Sequence, residues 1–125
     1  MKGYVTNIED ETIENEDFRR VVFTGPNTQL VLMTLQPGEE IGLETHDGHD
    51  QFIRVEAGKG YVQLDGKKSQ LEDGSAVVIP AGVEHNVVNT SERDRLRLYT
   101  LYSPPEHADG TVHHTKKEAE AAEHH

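Results

Sequence analysis

Short apolar or β-branched runs, each bounded by turn residues, constrain the fold of this chain more than any other feature. Val21-Val22-Phe23 and residues 30–35, 51–55, 61–64, 76–79 and 96–101 are strand-sized, and no helical apolar stripe runs between them. The punctuation is Thr24-Gly25-Pro26-Asn27, Pro37-Gly38, Glu56-Ala57-Gly58, Asp65-Gly66, Glu72-Asp73-Gly74, Pro80-Ala81-Gly82 and Asn89-Thr90-Ser91. Asp65-Gly66 predicts a two-residue hairpin, because a type I′ turn needs positive φ at both central positions. Alternation then puts Tyr61, Gln63 and Asp65 on one face and Val62 and Leu64 on the other. The pattern predicts an all-β sandwich or barrel of antiparallel strands.

At 125 residues and 34% hydrophobic content, the chain supplies one compact core, so a single domain over residues 1–125 is expected. Asp and Glu number 23 against 12 Lys and Arg, a formal charge of −11. That surplus disfavours nucleic acid and anionic lipid surfaces as partners. The absence of cysteine excludes disulfides, thiolate ligands and a Cys nucleophile. No stretch is apolar enough for a signal peptide or membrane span, so a soluble cytoplasmic protein is expected. Residues 9–17, acidic and poor in apolar side chains, read as a solvated loop or loosely held edge. Thr115-Lys116-Lys117-Glu118 has the form of a capping box before helix-forming residues, which predicts a short C-terminal helix. His124 and His125 are set aside as native or tag-derived.

The chemistry concentrates in two stretches, residues 37–58 and 74–89. Each places a His beside a Gly/Pro turn at a strand end. Glu44 and His46 are two apart, so a strand projects both to one face; Gln51 begins the next strand, and His85 arrives from another hairpin. Two imidazoles with carboxylate or amide oxygen suit Zn, Mn, Fe, Ni or Cu. Taken alone, the same residues also read as surface or hydrogen-bonded histidines.

The two stretches resemble the two motifs of the cupin superfamily. The first motif, G-x5-H-x-H-x3,4-E-x6-G, is met by Gly38-x5-Glu44-x-His46-x4-Gln51-x6-Gly58; the second, G-x5-P-x-G-x2-H-x3-N, by Gly74-x5-Pro80-x-Gly82-x2-His85-x3-Asn89 with no departure. The resemblance covers about residues 28–103 and implies a double-stranded β-helix (jelly-roll) barrel, with residues 104–125 as a tail ending in the short helix. The ends are similar to small stand-alone cupins described as mannose-6-phosphate isomerase-like, through residues 99–105 and 107–113. The implied metal ligands are Glu44, His46, Gln51 and His85, holding a divalent ion such as Zn, Mn, Fe or Ni. Glu44 stands where the family usually has His and Gln51 where it usually has Glu. A neutral amide is a weaker ligand than carboxylate, so geometry must carry more of the selectivity. His49 and Asp50 are nearby alternatives.

The resemblance implies an ion that polarises a small oxygen-rich ligand as a Lewis acid. Isomerisation or an oxygen-dependent oxidation would follow if the site is catalytic, with Glu44 as base only if it leaves the ion; a binding or sensing module is the alternative. His107, His113 and His114 could fold over a barrel mouth but read first as a polar tail with capping and turn roles. Arg54, Arg95 and Arg97 could hold an anionic substrate but read first as outward stems over apolar surface, and Tyr61, Tyr99 and Tyr102 could line the cavity or serve as acid/base groups but read first as packing residues. Exposed barrel edges predict a homodimer, contacting through residues 3–8.

Overall fold

The structure is a computed structural model that describes residues 2–123. In chain order the elements are α1 (Ile8–Glu14), β1 (Arg19–Thr24), β2 (Gln29–Leu35), β3 (Asp50–Ala57), β4 (Gly60–Leu64), β5 (Lys67–Leu71), β6 (Ala76–Ile79), β7 (His85–Asn89), β8 (Leu96–Ser103), β9 (Val112–His113) and α2 (Lys116–Glu123). Every expected apolar run is a strand. The strands form an antiparallel jelly roll of two sheets, ordered β6-β3-β8-β2-β1-β9 and β5-β4-β7. Val31, Met33, Leu35, Ile53, Val55 and Leu98 of the larger sheet meet Val62, Leu71 and Val87 of the smaller, all buried.

Two corners show why the turns need their residues. Asp65 and Gly66 both have positive φ, 46° and 84°, as the hairpin requires. Gly58, at φ 110°, packs so closely on β8 that a Cβ would lie 2.6 Å from the carbonyl oxygen of Arg95. Asn89, the last residue of the second motif, is 1% exposed. Its Nδ2 donates to the carbonyls of Leu35, Gln36 and Asp94, and its Oδ1 accepts from the Ser91 amide, tying β7 of the smaller sheet to the end of β2 and the start of β8 in the larger.

The termini depart from expectation. Residues 8–14 form α1, overlapping residues 9–17, expected to be a solvated loop or loosely held edge. Asn7 caps it by accepting from the Asp10 amide at 3.0 Å, and Glu9, Asp10 and Glu11 occupy the first turn, where the helix dipole favours negative charge. Its anchors are polar: buried Thr12, and buried Asn15 just beyond, which bonds the Asp17 carbonyl and the Thr34 hydroxyl. Hydropathy therefore gives no sign of the docking. The tail is not merely a tail, because β9 pairs with β1 and adds a strand to the larger sheet outside residues 28–103. The capping box forms as expected, with Thr115 and Glu118 exchanging side-chain-to-amide bonds of 3.1 Å, and Ala119 of α2 is buried. His124 and His125 lie outside the described residues. No described helix is long and apolar enough to cross a membrane.

Candidate metal centre

Residues 40–46 run beside β7 without forming a full strand. Glu44 and His85 stand opposite one another and exchange both backbone bonds, at 2.9 and 2.8 Å, so their side chains share a face. His46 follows two residues later on that face; its carbonyl accepts from the Gly82 amide at 2.8 Å, fixing it to the turn before β7. Ligand atoms of Glu44, His46 and His85 consequently lie within 4.8 Å of one another. His85 is held by a 2.9 Å contact between its Nδ1 and the Val83 carbonyl, which leaves Nε2 as its ligating nitrogen.

Gln51 approaches from the larger sheet. It is buried on β3, and its Nε2 donates to Thr100 Oγ1 at 3.0 Å while its Oε1 is buried with no partner. Orienting the amide through its nitrogen leaves the oxygen as the free donor atom, the one a cation would use. Asp50 faces elsewhere and accepts from the Ala81 amide.

His49, just before β3, is 8% exposed. Its ring lies 4.5 Å from that of His46, and its Nδ1 is 3.2 Å from Glu106 Oε2. His46, His49 and Glu106 thereby form a second set of donors within 4.8 Å, sharing His46 with the first. Tyr102 presents its ring edge-on to His46, His49 and His107.

Electrostatics favour ionised oxygen here. Burial pushes the Glu44 carboxyl up, but the neighbouring His46, with the charges of Arg19 and His85, outweighs this and holds it below its ordinary value. Glu44 in turn raises His46 against the opposing effect of burial. Burial depresses His49 and drives His107 down to about 4. Glu44 Oε2 and His46 Nε2 approach to 2.6 Å, yet His46 Nε2 lacks hydrogen-bond geometry and counts with His49 Nε2 and Gln51 Oε1 as buried and unpartnered. Pairing and convergence on a shared cation both bring such atoms close; the poor alignment and the clustering of orphaned donors favour convergence. The residues fit a divalent ion with mixed nitrogen and oxygen ligands.

Beside the cluster opens a cavity of about 360 Å3, lined by Arg19, Glu44, Thr45, His46, Glu106 and His107. Half of this lining lies outside both motifs. Glu106 and His107 are positioned by Gln29, 0% exposed, whose Oε1 accepts from both amides and whose Nε2 donates to the His107 carbonyl at 2.7 Å. The tail is thus part of the cavity wall, so for His107 the expected polar tail gives way to the alternative, a residue folded over the barrel mouth. Arg19 also escaped the sequence reading. Its signal was parity, since it shares a face with Val21 while Arg20 is exposed. Arg54 pairs with Glu56 at 2.9 Å, and Arg95 and Arg97 pair with Glu16, away from the cavity. A larger cleft of about 950 Å3, lined by residues including Gln36, Lys59, Arg93 and Arg95, opens at the opposite end of the strands and contains none of the donor cluster.

Fold and donors define a small jelly-roll barrel with a metal-competent pocket between its sheets. The chain belongs to the cupin family: the Cupin domain model matches residues 31–102. It is 47% identical over 128 residues to the uncharacterized protein YrkC of Bacillus subtilis, covering 98% of this chain and 68% of YrkC. It superposes on the crystal structure of BH2720 from Bacillus halodurans with a TM-score of 0.93 at 48% identity, covering 96% of this chain and 95% of that one. A shorter similarity, 29% over 62 residues, covers 50% of this chain and 51% of the oxalate-binding protein of Thermotoga maritima.

Proposed function

We propose that the protein holds a divalent metal ion at Glu44, His46 and His85, with Gln51 Oε1 offered from the facing sheet, and binds a small oxygen-rich ligand in the adjoining cavity. The observation that carries this is the convergence of three donor side chains within 4.8 Å beside buried, unpartnered Gln51 Oε1. Similarity to an oxalate-binding protein supports an oxygen-rich ligand. When bound, the ion would supply Lewis acidity. Glu44 supplies negative charge to the shell, His85 a nitrogen fixed by the Val83 carbonyl, and His46 a nitrogen available once its proton has left.

A catalytic reading is supported by the contact of His49 Nδ1 with Glu106 Oε2, which orients the ring so that the unpartnered His49 Nε2 can take or give a proton. In that reading His49 and Glu106, rather than Glu44, move the proton. The mannose-6-phosphate isomerase-like version is less well supported, because Arg54 is paired outward and Lys59 lines the opposite cleft. Binding of metal and ligand without turnover of a sugar phosphate, and without oxygen uptake across a substrate panel, would establish the binding module. Turnover abolished in His49→Gln would establish the enzyme.

The proposal extends to a homodimer using residues 3–8, where Val5 is 98% exposed while Tyr4 is anchored by Phe23 and Glu11. Light scattering at micromolar concentration should give twice the chain mass; a monomer refutes it.

A further inference from the structure

Arg19 is the feature that the metal does not explain. It lies on β1, faces the barrel interior and is 4% exposed. Its Nη1 is 3.3 Å from His113 Nδ1, its guanidinium carbon sits 5.4 Å from the centre of the Phe18 ring, and its Nε is buried with no hydrogen-bond partner. Among the described residues no carboxylate forms an ion pair with it. A guanidinium withdrawn from water with no carboxylate in direct contact, and only the longer-range charge of Glu44 to offset it, is costly, and Arg is the side chain whose planar fork matches a carboxylate. Nearby, His107 Nε2 is also buried and unpartnered. Both residues line the cavity beside the donor cluster.

The charges around that cavity specify the missing anion. Arg19 is its one cationic lining residue, and Glu44 and Glu106 are its carboxylates. With a divalent ion on the cluster, one net positive charge remains, which a single carboxylate neutralises. A phosphate dianion would overshoot and meet Glu106. The volume of about 360 Å3 is near the lower end of ligand sites, about 300–1,000 Å3, so the ligand is small.

We propose that Arg19 anchors the carboxylate of a small organic monoanion whose oxygen-bearing end faces the ion. Both the choice of a monoanion and its orientation rest on the metal reading above, because without the ion Arg19, Glu44 and Glu106 leave one net negative charge on the cavity wall; the fork that Arg19 offers a carboxylate does not. Arg19 is then a specificity-determining residue, distinct from the metal ligands.

The test is calorimetric titration of manganese-loaded protein with glycolate, its neutral counterpart glycolamide, and inorganic phosphate. Wild type should bind glycolate at least about tenfold more tightly than glycolamide or phosphate, the range expected for a charge-assisted hydrogen bond. Arg19→Gln should weaken glycolate by about ten- to a hundredfold, leave glycolamide and metal stoichiometry unchanged, and melt no lower in ligand-free protein, because an unpaired buried charge has been removed. Arg19→Lys keeps the charge but loses the fork and should fall between the two; it carries the comparison if Arg19→Gln does not fold. No binding of glycolate to wild type, equal binding of glycolate and glycolamide, preference for phosphate, or an equal loss of glycolate and glycolamide in the variants would each overturn the proposal. If the protein binds no manganese yet discriminates glycolate through Arg19, the metal reading fails and this one stands. If manganese binds and the discrimination is absent, the reverse holds.

Discussion

Replacing Gln29 with leucine tests whether the tail is built into the site. Gln29 is 0% exposed, and its amide makes four bonds: Nε2 to Thr24 Oγ1 at 3.0 Å and to the His107 carbonyl at 2.7 Å, and Oε1 from the Glu106 and His107 amides at 3.2 and 2.9 Å. Leucine preserves most of the volume and none of the bonds. If the tail stayed in place, each buried group left unpaired would cost about 1–3 kcal/mol, so it is cheaper for residues 106–107 to lift away and hydrate. The loss is then the net worth of the bonds, about 1 kcal/mol each, partly offset by burying leucine instead of an amide. That leaves about 2–3 kcal/mol, concentrated in the tail. Native-state hydrogen exchange should show the Glu106 and His107 amides exchanging about a hundredfold faster, at 1.4 kcal/mol per factor of ten, while the Val31 amide in β2 changes much less. Unchanged protection at Glu106 and His107 would refute the reasoning.

Acid sensitivity should trace to His107: the unfolded chain takes up that proton near 6.5, whereas burial delays it to about 4 in the folded protein. The unfolded state therefore binds more protons in this window, and stability falls as pH drops through it, by at most about 3 kcal/mol. Denaturant titrations at several pH values should show a shallower fall in His107→Gln, and an identical fall would contradict the assignment. Asn89→Ala removes three donated bonds and one accepted bond and should cost about 2–4 kcal/mol in urea unfolding; a change within about 0.5 kcal/mol, typical of surface substitutions, would remove Asn89 from the fold's supports.

The sheets were legible because their signals are local. Apolar alternation placed residues 51–55 and 61–64 in strands, and Asp65-Gly66 carried its own turn geometry. β5, Lys67–Leu71, was legible only through that turn, because an edge strand with four exposed residues has no apolar signature of its own. The docking of α1 was missed because polar Thr12 and Asn15 anchor it. At the site, Glu44, His46, Gln51 and His85 were legible from spacing and resemblance, and the structure places the first, second and fourth in one cluster. Arg19 and Glu106 were not, and His107 was legible only as an alternative, because the contacts that bring them to the cavity span much of the chain. The bond from Gln29 to His107 joins residues separated by 78 positions, and nothing near either residue announces the other.

The account stands on a metal ion at the Glu44, His46 and His85 cluster, and elemental analysis of untagged protein, purified without a nickel column, tests it directly. Wild type should carry close to one divalent ion per chain. Glu44→Ala should lose affinity by more than the about 10–100-fold that an outer-shell partner costs, and Gln51→Ala, which removes only a neutral amide, by less. Wild-type protein with under about a tenth of an equivalent, and no rise in melting temperature on adding manganese or zinc, would contradict it.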